Sequence, residues 1–144
     1  MSFRGFRPAR AAGFMLLLCL AFGARAGYGD GVSAYEKSQL PLFCYGQMGV
    51  PGATGPQYNI PSGCGSGMNH YCPGLVALIR AKKELDRRKA LTLLSSVEVD
   101  VRYTLDWMKG FPNCAIRGHV EATKAEVERL KLLWGGSRGG GRTP

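Results

Sequence analysis

Between Cys64 and Cys72 the chain places two thiols, a thioether, an imidazole and a phenol within nine positions: Cys64, Met68, His70, Tyr71 and Cys72. Further on, Cys114 and His119 repeat the pairing of thiol and imidazole with four residues between them. Soft sulfur and imidazole suit copper or zinc, so His70, Cys72, Cys114 and His119 are the ligand set the sequence offers for a metal. The competing chemistry is oxidation. Cys44, Cys64, Cys72 and Cys114 form an even set, and none of their spacings is the Cys-x2-Cys of a zinc ribbon or the Cys-x-x-Cys-His of a c-type haem. Disulfides are the preferred reading, with no metal or other cofactor.

Which chemistry applies depends on compartment. Residues 1–26 carry Arg4, Arg7 and Arg10 without an acid, then an apolar run from Phe14 to Phe22, then Ala24-Arg25-Ala26. That order is the signature of a secretory signal peptide, and the run is shorter than the roughly 20 residues that span a bilayer. Cys19 follows three leucines rather than the small residue a lipidated cysteine requires, so it is expected to leave with the leader. The expected location is periplasmic or secreted, with no transmembrane segment after cleavage. Thiols exported in this way pair with one another. Four cysteines allow three pairings. Cys44 with Cys72 and Cys64 with Cys114 is preferred, because both bonds then tie the loop between them onto the helices.

Catalysis finds little support. A Cys-His nucleophile needs a free thiol, and an even oxidised set leaves none. Asp30, Glu84, Asp86 and Asp106 read as surface or helix-end carboxylates rather than an acid and base pair. Gly63-Cys64-Gly65-Ser66-Gly67 lacks the lysine and the preceding strand of a phosphate loop. The formal charge of +9 falls to +5 when residues 1–26, with four arginines and no acid, are removed. The remaining cations are spread, without the basic stripe interleaved with aromatics that nucleic acid requires. The expected partner is another protein, not nucleic acid.

The elements that must hold these residues are helical. Residues 27–67 form a glycine- and proline-rich, extended region. It holds a short helical run over Val32–Leu40, and three Gly-X-Y triplets from Gly49 to Gln57 that are too few for collagen. No apolar period survives that punctuation, so a loop stapled between Cys44 and Cys64 is expected. Residues 68–134 form the helical domain. A first helix starts near Cys72 with Pro73 in its first turn and Asn69 as its cap. It buries Tyr71, Leu75, Leu78 and Ile79, with Leu85 continuing the face. A second, from about Asp86 to Met108, buries Leu94, Val97, Val101, Leu105 and Met108, although Val97, Val99 and Val101 also alternate like a strand. A third, capped by Asn113 and running from Cys114 to Trp134, buries Ile116, Val120, Val127, Leu130 and Trp134. Glu121 with Lys124 and Glu128 with Lys131 are the expected surface pairs. His70 is expected to lock the helix entrance by bonding a loop carbonyl. Residues 135–144, glycines with Arg138 and Arg142, have nothing to bury and read as a disordered tail.

His70-Tyr71-Cys72-x-Gly74-Leu75, preceded by Leu40-Pro41 and Cys44 and followed by Tyr103-Thr104-Leu105, resembles a segment at the start of some exported proteobacterial tetratricopeptide-repeat proteins. There a Leu-Pro and a cysteine precede a His-Tyr-Cys-aromatic-Gly-Leu helix. The resemblance covers residues 40–107. It departs from the pattern at Pro73, which replaces the aromatic, at the additional Cys64 and Cys114, and in lacking tandem repeats. It implies a helix pair and a role in protein contact rather than catalysis. A single unit must then be stapled or join a larger assembly, since solenoid repeats need about three copies.

The chain is therefore read as a small all-α domain, a helix pair plus a C-terminal helix, behind a stapled loop. The expected function is non-enzymatic: an exported interaction or accessory subunit docking on a cell-envelope assembly, with Trp107, Phe111 and Trp134 as aromatic anchors. The alternative is a periplasmic copper or zinc protein.

Overall fold

The computed structural model describes residues 29–135. The signal peptide expected over 1–26 and the tail expected beyond Gly135 lie outside the described residues. Within them the chain is helical: α1 (Ala34–Ser38), α2 (Tyr71–Lys83), α3 (Arg87–Met108) and α4 (Arg117–Gly135). Four 3₁₀ turns, Leu42–Cys44, Pro56–Tyr58, Ser62–Cys64 and Ser66–His70, occupy the glycine-rich stretch between α1 and α2.

The apolar stripes assemble one core. Leu75 and Leu78 of α2, Leu94, Val97, Val101 and Met108 of α3, and Val120 and Val127 of α4 are all buried. The valine alternation around Val99 stays helical: Val97 and Val101 turn inward one turn apart while Val99 faces water. Two threonines that the apolar pattern passed over, Thr104 and Thr123, also enter the core. Each hydroxyl donates to a carbonyl one turn back, that of Asp100 (2.7 Å) and of His119 (2.9 Å), so neither is buried without a partner. α3 and α4 run antiparallel. At one end Arg87 Nη2 donates to the Gly135 carbonyl (3.0 Å), and at the other Arg117 Nη2 donates to that of Met108 (2.6 Å).

Several boundaries differ from the sequence expectation. α2 begins at Tyr71 with His70 at its N-cap, and no side chain caps it. Asn69 instead offers its carbonyl to Gln47 Nε2 (2.6 Å). α4 begins three residues later than expected, because Cys114–Ile116 form a turn whose Cys114 carbonyl accepts from the Arg117 amide (3.1 Å). Leu85 does not continue the α2 face. It sits in the three-residue link to α3 and is 92 % exposed. The surface pairs are also displaced: Glu121 faces Arg117, Glu128 faces Lys124, and Lys131 reaches across to Glu98 of α3.

The glycine-rich region is not extended. It folds back on itself, with the Gly46 amide donating to the Tyr58 carbonyl (2.7 Å) and the rings of Tyr45 and Tyr58 stacked at 5.9 Å. Met48 reaches the core and is fully buried beside Cys44. Two disulfides fasten it, Cys44–Cys72 to α2 and Cys64–Cys114 to the turn before α4, which is the preferred pairing. At the front, α1 is closed by a capping box between Ser33 and Glu36. Glu36 also accepts from Arg80 of α2 (2.6 Å), and that bond holds its carboxyl well below the usual carboxylate range.

Candidate functional site

α3 has a second face. Val99, Tyr103 and Trp107 recur every four residues, which places them along one side of the helix, and that side points away from the core. They are 53 %, 43 % and 39 % exposed, respectively. Phe111, just beyond the helix, extends the line: its ring stacks on that of Trp107 at 6.2 Å with 17° between planes.

The ridge is fixed in place by what lies beneath it. The indole of Trp107 lies directly against the backbone of the Ser62–His70 segment. A Cβ on Gly67 would fall 2.1 Å from Trp107 Cδ2, and one on Gly65 would meet Phe111 Cε2 at 2.4 Å. Gly65 further has φ +73°, a conformation other residues rarely adopt. The disulfide from Cys64 to Cys114 clamps this glycine ledge to the turn that follows Phe111, so both supports of the aromatic pair are covalently joined. Tyr103 is held from the side. Its ring lies 4.7 Å from that of His70, whose Nδ1 lies 3.4 Å from Asp100 Oδ1. Asp100 is half-buried against Gly74, and burial raises its carboxyl while the imidazole of His70 beside it opposes that rise. His70 therefore meets a carboxylate on α3, not a loop carbonyl. The distance is long for a hydrogen bond, and the imidazole acts chiefly as a flank to Tyr103.

Of the three anchors expected from the sequence, Trp107 and Phe111 come together and Trp134 does not. Because α3 and α4 are antiparallel, Trp134 packs half-buried near the start of α3, a helix of 22 residues and so roughly 30 Å long. Val99 and Tyr103 were not among the expected anchors. Their signal was the four-residue step on the face opposite Leu94, Val97, Val101 and Leu105.

The metal set is not brought together either. Cys72 and Cys114 belong to different disulfides, His70 faces Asp100, and His119 faces Tyr71. Among the described residues no three His, Cys, Asp or Glu side chains converge as ligands. His119, itself exposed, belongs to a polar chain that runs into the seam between α2 and α4: the buried Tyr71 Oη lies 2.5 Å from its Nδ1 and 2.8 Å from Thr123 Oγ1. With the proton on Nδ1, His119 donates to Tyr71, Tyr71 to Thr123, and Thr123 to the His119 carbonyl, so each hydroxyl both gives and receives. Phe43 covers both rings, edge-on to His119 at 5.3 Å and parallel to Tyr71 at 6.4 Å. Burial pushes the Tyr71 phenol up and the His119 imidazole down, each toward its neutral form. These groups join α2 to α4 and serve the fold.

No protein-family model, curated protein or solved structure matches the chain. The described residues include no helix long and apolar enough to cross a membrane.

Proposed function

We propose that this protein is a non-enzymatic, exported interaction or accessory subunit that docks on a larger cell-envelope assembly through the ridge of Tyr103, Trp107 and Phe111. The observation that carries the reading is the immobilised aromatic pair. An indole seated on a glycine ledge, clamped by a disulfide and still 39 % exposed has little conformational freedom left to lose on binding. Tryptophan and tyrosine are the side chains most enriched at energetic centres of interfaces. A polar rim surrounds the ridge: Arg102 on one side, the Asp106–Lys109 pair beside Trp107, and His70 with Asp100 on the other. The resemblance of residues 40–107 to a segment at the start of some exported proteobacterial tetratricopeptide-repeat proteins agrees with this role and is part of the proposal.

The test is photo-crosslinking in the exporting cell, with a benzophenone side chain at position 103 or, as a control, at position 124 on α4. A discrete protein adduct at 103, absent at 124 and at least tenfold weaker when Trp107→Ala is added, is expected from hot-spot energetics of about 2 kcal/mol. Equal adducts at both positions would remove the ridge from the reading. The metal alternative makes a different prediction. Copper or zinc on His70, Cys72, Cys114 and His119 requires two free thiols, whereas both cysteines are bonded. Intact mass and thiol labelling of protein prepared without chelator should find four blocked cysteines and no bound metal.

A further inference from the structure

The other end of the bundle carries a surface of different chemistry. The corner between α2 and α3 reads Lys82-Lys83-Glu84-Leu85-Asp86-Arg87-Arg88-Lys89, five cations against two carboxylates. Both carboxylates are turned onto the backbone: Glu84 Oε1 accepts from the Asp86 amide (2.9 Å) and Asp86 Oδ1 from the Lys89 amide (2.8 Å). Some of the cations are occupied as well, Lys82 with Glu126 and Lys83 over the Tyr35 ring. Arg88 and Lys89 are exposed and form no ion pair among the described residues. With Arg87 they border an open cleft of about 600 Å³.

Leucines stand among these charges. Leu85, at the tip of the corner, is 92 % exposed. The hydrogen bond from Arg87 to the Gly135 carbonyl brings the end of α4 to the same place, and there Leu132 and Leu133 are 75 % and 59 % exposed. All three leucines lie within three residues of that bond. Past Gly135 the sequence adds Arg138 and Arg142 and no acid. Neither feature suffices by itself. Solvated lysines and arginines are ordinary, and single exposed leucines need no explanation. Their coincidence at one end is the informative point: projecting leucines at the same end as Arg88 and Lys89, two exposed cations without an ion pair among the described residues, match a bilayer interface, where leucine enters the acyl boundary and cations meet lipid phosphates.

We propose that the α2–α3 corner, with the end of α4, is a docking surface for an anionic phospholipid bilayer. Charge complementarity selects the anionic lipid, and the leucines select a bilayer over a soluble polyanion. The surface is separate from the aromatic ridge, so a domain lying on a membrane by this end would keep Trp107 accessible to a protein partner.

The experiment is co-sedimentation of the protein, as recovered from an exporting cell with its N-terminus read by intact mass, with phosphatidylcholine vesicles containing or lacking phosphatidylglycerol. Binding is expected to the anionic vesicles alone. It should fall about fivefold for each cation lost at Arg88→Gln and Lys89→Gln, and weaken steeply with salt. The pair Leu85→Ser and Leu132→Ser leaves the charge unchanged and should cost about tenfold by lost apolar insertion. Circular dichroism checks that these exposed substitutions leave the helices intact. Failure of the wild type to sediment with anionic vesicles overturns the proposal. So does binding that the glutamines and serines leave unchanged, which would place the contact elsewhere in the chain. Loss with the charge changes but not with the serines, together with equal competition by heparin or by inorganic phosphate, would reduce the surface to a general polyanion or phosphate site and likewise overturn it.

Discussion

Two single residues set conditions that can be measured directly. His119 sits with its Nδ1 at the Tyr71 hydroxyl, under Phe43, and burial lowers its pKa below the ordinary 6.5. The unfolded chain therefore binds a proton that the folded chain refuses, so stability is full above about pH 6.5 and declines as pH falls through the lowered value. Thermal unfolding of the disulfide-intact protein should show a midpoint falling between pH 7.5 and pH 5, and His119→Gln should flatten that slope. An unchanged slope in the variant would assign it to another group. Tyr71→Phe removes the middle of the chain, leaves His119 Nδ1 without its acceptor, and should cost about 1–2 kcal/mol in urea unfolding. Gly67→Ala tests the ledge. Its Cβ would fall 2.1 Å from the Trp107 ring, so the indole must swing off its seat. A loss of about 1–3 kcal/mol is expected, accompanied by a red-shifted tryptophan emission as the ring enters water. Gly63→Ala, with open space around its Cβ, is the matched control and should do neither.

At the scale of elements, the helices were legible because their apolar residues step by three and four along α2, α3 and α4, and glycine, phenylalanine and proline after Met108 mark an unmistakable stop. Their entrances were less legible. Asn69 and Asn113 have the chemistry of caps, yet local propensity does not register that Asn69 lies in a 3₁₀ turn already running into α2, or that the Cys64–Cys114 bond holds residues 114–116 in a turn of their own. The glycine-rich loop was the least legible, since its order comes from contacts distant in sequence: Gln47 on Asn69, Tyr58 on Gly46, and Met48 in the core. The ridge was half legible. Trp107 and Phe111 announce themselves by type, whereas Tyr103 is identified only once α3 is seen to have an outer face, and Trp134 is removed from the set by helix direction. The disulfides make the element-scale prediction. They span 28 and 50 residues, for which loop entropy gives about 3.5 and about 4 kcal/mol. Serine pairs replacing Cys44–Cys72 or Cys64–Cys114 should thus be nearly equal in stability loss. They should differ in consequence, because only the second releases the ledge: partner crosslinking from position 103 should fall with Cys64→Ser/Cys114→Ser and persist with Cys44→Ser/Cys72→Ser.

For the molecule as a whole, the question is whether residues 29–67 are an arm attached to a helical domain or part of one unit. The core answers for one unit. Leu40, Cys44, Met48 and Cys64 from the first region and Tyr71, Leu75, Leu94, Val97 and Val120 from the helices form a single contiguous cluster of buried side chains. Three short helices alone make a core that is marginal at this size. Cutting the cluster at residue 67 would expose Met68, Tyr71 and Cys72, each buried to 2 % exposure or less, and would strip Phe43 from the Tyr71–His119 pair. Cooperative unfolding is the consequence. Near-ultraviolet dichroism, which reports the stacked Tyr45 and Tyr58 of the loop together with Trp107, should lose its signal at the same temperature as the far-ultraviolet helix signal. A protease that cleaves at exposed sites should leave the 44–67 segment intact until that transition. A tyrosine signal lost well before the helices would divide the molecule in two, with the glycine-rich region as a tethered arm. The coincident transition would establish instead that the loop is as much a part of the fold as α3, and that the clamp on Trp107 is kept by the stability of the entire chain.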